Sequence, residues 1–154
     1  MATIRLQRED FDAAAEAAAL TRGRSDIGAV VTFTGICRGS EDGDPIAALT
    51  LEHFAEMAET EITRHVEDAQ QRWALLGVTV VHRYGRITPG ENIVLVVTAS
   101  SHRGEAFAAA EFLMDFLKTR APFWKQVESA KSKTWVEATA GDDAAAARWE
   151  KPRG

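Results

Sequence analysis

Two apolar segments in the second half of the chain constrain its fold more than any other feature. Residues 77–85 (GVTVVHRYG) and 92–100 (NIVLVVTAS) are dense in β-branched side chains, which favour β-strands. The short segment between them contains Pro89 followed by Gly90, a pair typical of turns. Strands joined by a short connection usually pair antiparallel, so the chain is expected to contain an antiparallel sheet.

The rest of the sequence alternates between helical and strand patterns. Residues 55–73 carry Ile62, Val66, Ala69 and Trp73 at helical spacing, which indicates a helix lying on a sheet. Further helices are predicted at 10–21, capped by Asp10, at 104–119, with an apolar stripe of Phe107, Ala110, Met114 and Leu117, and from near Asp142. Further strands are predicted at 28–36, 47–54, 123–128 and 134–138.

The order of these elements predicts an α+β fold, a sandwich in which helices pack on a mainly antiparallel sheet. A length of 154 residues is typical of one domain, so residues 1–154 are expected to form a single domain. Cys37 is the one cysteine, so no internal disulfide can form. The sequence has neither a signal-peptide pattern nor an apolar run of about 18 residues, and a cytoplasmic location is therefore expected.

Charge is distributed unevenly along the chain. The net charge of −5 argues against general nucleic-acid binding, which usually requires a basic face. Residues 118–133 nevertheless contain five basic side chains against a single acidic one, Glu128. Such a local excess of positive charge is typical of a site for a small anion, although a solvated lysine-rich turn would give the same pattern.

Lys118 and Lys125 are the first candidates for chemistry. A free lysine has a pKa of about 10.4 and is almost fully charged at pH 7. Partial burial and neighbouring positive charge both lower that pKa, and a proline turn with Arg120 nearby offers such a setting. The alternative is structural, because Lys118 would favour the end of its helix through the helix dipole and Lys125 would be a surface residue of a strand.

His102 and Arg103 follow a predicted strand and precede a predicted helix. Free backbone N–H groups at a helix start attract anions, and a guanidinium can bind phosphate or carboxylate through two hydrogen bonds. An ordinary surface pair would show the same pattern. His53 and His82 fall within strand patterns and are expected in the core or at a sheet edge, whereas His65 is expected to face water.

Other kinds of site find little support in the sequence. There is no GxxxxGK[ST] or GxGxxG motif for phosphates or dinucleotides, and no serine lies in a GxSxG context. Cys37 could carry sulfur, but a single cysteine in a loop is more often inert.

Several segments together resemble the large, catalytic subunit of molybdopterin synthases. They are GAVVTFTGICR, ALTLEHF, VTVVHRYGRITPGE, VTASSHRGEAF and FLMDFLKTRAPFWK, in this order and over about 28–149. The segment LKTRAPFWK is the most specific of them, because it is long and unusual in composition.

The resemblance implies a function and a set of partners. Family members have an α/β-hammerhead fold and form a central homodimer with a small ubiquitin-like subunit at each end, giving a heterotetramer. The C-terminal Gly-Gly tail of the small subunit brings sulfur as a thiocarboxylate. Sulfur transfer then converts cyclic pyranopterin monophosphate into molybdopterin during molybdenum cofactor biosynthesis, with no resident metal or cofactor implied.

The resemblance also implies roles for particular residues. Lys118 corresponds to the lysine beside the incoming tail, which can form an isopeptide bond with it. Lys125 corresponds to a second essential lysine that acts as an acid or base. The substrate pocket is implied to be lined by Arg38, His102, Arg103, Cys37 and Gln126.

Two departures from the family pattern concern this pocket. Some relatives carry a substrate-contacting lysine where this chain has Ile36. After Lys125 a basic residue and then a glutamate are common, whereas this chain has Gln126 and Val127.

The last long predicted helix adds a geometric expectation. At 1.5 Å per residue, Arg103 and Lys118 lie about 22 Å apart along it, too far for both to touch one small pterin. We therefore expect Lys118, Lys125 and Arg38 to come from one subunit, and His102 with Arg103 from its dimer mate.

Two other functions stay open at the level of sequence. One is a non-catalytic adaptor that clasps a ubiquitin-like tail in the same basic groove. The other is a sulfurtransferase that carries sulfur as a persulfide on Cys37.

Overall fold

Helices and strands alternate along the chain in the computed structural model, which describes residues 2–129, 133–136 and 140–150. In chain order the elements are β1 (Ala2–Gln7), α1 (Ala13–Thr21), β2 (Ala29–Ile36), β3 (Ser40–Glu41), β4 (Asp44–His53), α2 (Ala55–Arg72), β5 (Leu75–Arg83), β6 (Gly85–Ile87), β7 (Asn92–Ser100), α3 (Arg103–Thr119), β8 (Phe123–Ser129), β9 (Lys133–Val136) and α4 (Ala140–Ala147), followed by a short 3₁₀ turn, Arg148–Glu150.

The strands form two sheets. In the first the order is β1-β5-β7-β2, where β7 pairs antiparallel with β5 and β2 and only β1 runs parallel to its neighbour β5. The second has the order β3-β4-β8-β9, with antiparallel pairing throughout, and β6 pairs with β4 outside this path. The predicted α+β class with mainly antiparallel strands is confirmed.

The largest core cluster lies where α2 and α3 cover one face of the first sheet. Valines of β5 and β7 meet Ile62 and Val66 of α2 and three large residues of α3, namely Phe112, Leu113 and Phe116. Each such side chain stabilises the fold by about 1.5–3 kcal/mol when fully buried, so this packing holds α3 against the first sheet. A smaller cluster lies on the second sheet and consists of Cys37, Leu49, Leu51 and Ile87.

The strand predictions are incomplete in ways that matter for topology. No strand was predicted where β1 and β3 form, and the predicted strand 77–85 reaches only Gly85, the first residue of β6. The strands β2 and β4 were predicted as consecutive strands, but they do not pair with each other. Instead β2 pairs with β7 and β4 pairs with β8. The predicted final strand coincides with β9 at its start, while its end, 137–138, lies outside the described residues.

The cap predicted for the first helix is wrong. Helix α1 begins at Ala13, and its cap is Asp12, whose carboxylate accepts a hydrogen bond from the backbone N–H of Ala15 at 3.1 Å. Asp10 instead accepts a hydrogen bond from the side-chain amide of Asn92 at 2.9 Å, so it ties the N-terminal segment to the first sheet.

Two side chains on the long helices differ from expectation. Phe107, predicted in the apolar stripe of α3, is 60% exposed because the face that packs on the sheet passes through Ala106 and Leu113. His65, expected to face water, is half-buried and stacks on Phe116 with ring centroids 3.5 Å apart.

Candidate functional site

Lys125 lies on β8 with its side chain toward the small core of the second sheet. Lys125 is paired with Leu51 of β4. Two positions further along β8, Val127 is paired with Leu49. Side chains alternate along a strand and paired residues share a face, so Lys125 lies on the face occupied by these apolar residues. It is half-buried there, and burial lowers the pKa of its ammonium group.

Charged neighbours also act on Lys125. After burial, the strongest influence is the Glu41 carboxylate, which raises the pKa of Lys125, while the positive charges of Lys118 and Arg38 lower it. A negative charge on the sulfur of Cys37 would raise it more weakly. Because such influences fall off with distance, Lys118, Arg38 and Cys37 lie within electrostatic range of Lys125. We call Lys118, Lys125 and Arg38 the basic cluster.

Lys118 lies at the end of α3, close to the turn that leads into β8. It lies in the last turn of the helix and is exposed. The helix closes where the backbone N–H groups of Arg120 and Ala121 both donate to the carbonyl of Phe116, at 2.8 and 3.2 Å. Pro122 has no N–H to continue the helical pattern, and the chain turns directly into β8.

Arg38 and Cys37 follow the end of β2. Arg38 is exposed, and its guanidinium lies 3.9 Å from the carboxylate of Glu41. Cys37 is only 2% exposed, with its sulfur 3.6 Å from the carbonyl oxygen of Arg38 and 3.8 Å from that of Ile87. Burial raises the pKa of the Cys37 thiol, so the thiolate needed for nucleophilic chemistry is disfavoured.

A stack of aromatic rings lies beside the cluster. The ring of Phe123 lies 3.9 Å from that of His82 and 5.8 Å from that of His53. His82 is buried, as expected for a core histidine, and its Nδ1 is 2.8 Å from the carbonyl oxygen of Arg83. Burial lowers the pKa of His82 to about 4, and the charge of Lys118 contributes weakly in the same direction. The neutral ring of His82 therefore supports the first residue of the strand that carries Lys125.

Three residues predicted for the pocket do not join the basic cluster within this chain. His102 and Arg103 are exposed at the start of α3, at the opposite end of the helix from Lys118. Gln126 follows Lys125 on β8 and is opposite Thr50, so strand alternation places it on the other face of the sheet.

Glu41 is the site residue that sequence reasoning missed. Nothing in the sequence distinguishes it from the other acidic residues of its polar loop. It is three residues after Arg38, so their ion pair is local, but only the folding of the second sheet brings Glu41 within electrostatic range of Lys125.

The basic cluster is open to solvent in the single chain, since both Lys118 and Arg38 are exposed. A groove of about 380 Å³ lies near the His53 end of the aromatic stack, lined by Tyr84, Ala55, Glu59 and residues 4–7 of β1. Neither Lys118 nor Lys125 lines this groove.

Two further features are absent from the described residues, a metal-ligand cluster and a membrane-spanning helix. Within residues 2–129, 133–136 and 140–150, no group of three or more histidine, cysteine or carboxylate residues could hold a metal ion. In the same part of the chain, no helix combines the length and apolar character needed to cross a membrane.

The fold and the site define an α+β protein with a basic site where α3, β8 and the end of β2 meet, suited to an anion and to proton transfer by a lysine. Comparison with known proteins agrees with this description. The family model described as MoaE protein matches residues 6–120. A molybdopterin synthase catalytic subunit from Mesorhizobium japonicum is 57% identical over 150 residues, covering 96% of this chain and 93% of that protein.

Solved structures give the same result. A molybdopterin biosynthesis MoaE protein from Burkholderia ambifaria superposes with a TM-score of 0.82 at 46% identity, covering 99% of this chain and 100% of that one. A molybdopterin synthase from Staphylococcus aureus superposes with a TM-score of 0.78 at 25% identity, covering 85% and 94% of the two chains. This chain therefore belongs to the MoaE family, and it is an enzyme of molybdenum cofactor biosynthesis.

Proposed function

We propose that this chain catalyses the sulfur transfer that forms the dithiolene of molybdopterin. Two sulfur atoms are transferred, each from the thiocarboxylated C-terminus of a small ubiquitin-like subunit, which is left as a carboxylate when water cleaves its acyl–sulfur bond, and the acceptor is cyclic pyranopterin monophosphate. The observation that carries the proposal is the meeting of Lys118, Lys125 and Arg38 at one site, where Lys125 is half-buried and its pKa is lowered. The names of the relatives support the same reaction.

The basic cluster suits two anionic reactants. A guanidinium such as that of Arg38 can bind a phosphate through two hydrogen bonds, and the thiocarboxylate of the tail is also negatively charged. Holding both reactants beside fixed positive charges provides proximity and offsets the charge that develops as sulfur attacks. Lys118, exposed at the mouth of the cluster, is the residue beside the incoming tail.

Lys125 is the residue proposed to move protons. A lysine with an unperturbed pKa is almost wholly charged at pH 7 and cannot accept a proton. Burial and the charges of Lys118 and Arg38 favour the neutral form of Lys125. Lys125 then exchanges protons with the reactants as sulfur attacks and the cyclic phosphate opens.

The remaining pocket residues require a second copy of the chain. His102 and Arg103 lie at the far end of α3 from Lys118, so we propose that they reach the basic cluster of a dimer mate. The buried Cys37 lies beside the cluster, whereas Gln126, on the other face of the sheet from Lys125, is left out of the lining of this pocket. The proposed assembly is a homodimer of single-domain chains with one small sulfur-carrying subunit at each end, and its proposed location is the cytoplasm.

The role of Lys125 can be tested by measuring dithiolene formation from purified thiocarboxylated partner and pterin precursor. We expect Lys125→Ala to lower kcat by about 100-fold or more, the usual contribution of an acid or base. Lys125→Arg is the matched variant, because arginine keeps the positive charge but does not release its proton. It should lose kcat to a similar degree while retaining a KM closer to that of the wild type.

Wild-type turnover in Lys125→Ala would remove this residue from the mechanism. Full activity in Lys125→Arg would mean that charge alone matters and that no proton is exchanged. If the wild-type chain binds the tail and forms no dithiolene, the non-catalytic adaptor becomes the better description.

The persulfide alternative makes a separate prediction about Cys37. Because the thiol is buried and its pKa is raised, we expect Cys37→Ser to retain near wild-type dithiolene formation. Cys37→Ala is the companion variant, since it avoids placing a hydroxyl in an apolar cluster. Loss of turnover in both variants, with thermal unfolding unchanged, would favour sulfur transfer through Cys37.

A further inference from the structure

The carboxylate of Glu41 faces the basic cluster. It lies 3.9 Å from the guanidinium of Arg38, and its charge is the strongest electrostatic influence on Lys125. The Glu41 side chain is 29% exposed and that of Arg38 is 72% exposed, so the carboxylate is the more enclosed partner of the pair. One acidic group thus acts on two of the three cations that the proposed function assigns to anion binding.

The backbone holds Glu41 in this place. Strand β3 pairs Ser40 with Pro45 and Glu41 with Asp44. The two residues of the intervening turn, Asp42 and Gly43, both have positive φ, at 51° and 84°, as in the tight turns that close β-hairpins.

The base of the hairpin is held as well. The N–H of Ile46 donates to the carbonyl of Gly39 at 2.9 Å, and that of Cys37 donates to the carbonyl of Glu91 at 2.9 Å. The hairpin is therefore a fixed part of the site, and the position of Glu41 does not depend on a flexible loop.

We propose that Glu41 is an internal counter-ion of the pocket, which pairs with Arg38 and acts on Lys125 until an anionic ligand competes for the same positive charges. This inference rests on the proposed function, in which a phosphate-bearing pterin binds at the cluster. In the empty site the carboxylate offsets repulsion among the three cations. In the occupied site it repels the bound anion, so it weakens anion binding and favours release.

Glu41 has a second effect, on the proton held by Lys125. The charged and titratable groups that act on Lys125 are Lys118 from α3, Arg38 and Cys37 from the end of β2, and Glu41 from β3. Glu41 is the main group that favours the charged ammonium form. Removing the charge of Glu41 lowers the pKa of Lys125. The part of the pH profile of kcat/KM that depends on the protonation of Lys125 therefore moves to lower pH.

The test uses Glu41→Gln, which keeps the length and hydrogen-bonding capacity of the side chain and removes its charge. Asp44→Asn is the matched control, because it removes one negative charge from the residue opposite Glu41 in the same hairpin, and Asp44 is not among the groups that act on Lys125. Inorganic phosphate is the probe, titrated by calorimetry into the wild-type chain and both variants. We expect Glu41→Gln to lower the Kd for phosphate by about threefold, in the range for an exposed ion pair, and Asp44→Asn to leave it near the wild-type value.

The same chains are then assayed for dithiolene formation across pH. The shift of the Lys125 limb to lower pH is expected in Glu41→Gln and not in Asp44→Asn. Equal effects of the two variants in both measurements, or unchanged phosphate binding in Glu41→Gln, would overturn the counter-ion role. The phosphate titration tests the role of Glu41 in anion binding and does not depend on enzymatic activity. Failure of the wild-type chain to form dithiolene would contradict the proposed function and would not affect the result of the titration.

Discussion

At the scale of single residues, burial changes the chemistry of groups that the sequence presents as ordinary. Burial lowers the pKa of His82 to about 4, while the half-buried Lys125 loses part of its preference for the charged form. His82 is stacked on Phe123, the first residue of β8, so its neutral state is coupled to the position of Lys125 on the same strand. The residue identities were readable from the sequence, but their protonation was not, because it depends on what covers them.

The burial of His82 predicts a dependence of stability on pH. The free histidine has a pKa near 6.5, so below that pH the unfolded chain binds a proton that the folded chain takes up only near pH 4. The free energy of unfolding therefore falls as the pH drops from 6.5 toward 4. At pH 5 this residue should cost the folded state about 2 kcal/mol relative to pH 7.5.

Urea unfolding of the wild type and of His82→Phe at pH 7.5 and 5 measures this contribution. Phenylalanine preserves a ring against Phe123 but cannot titrate, so the variant should lose less stability between the two pH values, by about 2 kcal/mol. The comparison at pH 7.5 is the control, because there the imidazole is largely neutral in both states. Equal losses in the two chains would mean that His82 is not held neutral by burial.

At the scale of elements, sequence patterns predicted those whose burial follows a simple period. The alternation of Leu49 and Leu51 with polar residues in β4, and the spacing of Ile62 and Val66 in α2, both match buried positions. The strand β1 was missed although Ile4 and Leu6 are half-buried against the core on either side of the exposed Arg5, because two apolar positions are too few to establish a period. Strands β3 and β6 are two and three residues long, too short to carry a period.

Helix α3 links the element scale to the site. Its buried face, which includes Leu113 and Phe116, holds it along the first sheet, and its length separates Arg103 from Lys118. The predicted helix at this position is confirmed, with its start one residue earlier than expected. A rigid helix cannot bend its two ends to one small ligand, so the two sets of basic residues must serve different sites or different subunits.

At the scale of the whole molecule, the proposal that each site takes residues from both chains of a dimer predicts the activity of mixed dimers. His102→Ala and Lys118→Ala should each be inactive as homodimers. In a mixed dimer one site then combines the intact Lys118 of one chain with the intact His102 of the other. Random mixing in equal amounts gives half mixed dimers with one working site each, so about a quarter of wild-type activity should return in the dithiolene assay.

The control for this experiment is each variant mixed with itself under the same dissociation and reassociation conditions. Absence of recovery, when light scattering shows that dimers have re-formed, would place all of these residues in sites built from one chain. Activity in the unmixed His102→Ala chain would remove His102 from the pocket.

The sequence alone determined the fold class. Apolar residues at every second position form a buried face on a strand, and apolar residues about every 3.6 positions form one on a helix. The chain contains both patterns, which together predict an α+β fold. It also carried the candidate lysines, through a motif specific enough to resemble one family. The tertiary structure decided what no local pattern contains: that β4 pairs with β8 and not with β2, that Glu41 acts on Lys125, and that Gln126 lies on the opposite face from Lys125. These are contacts between distant segments or consequences of register, and their energies arise only when packing brings those segments together.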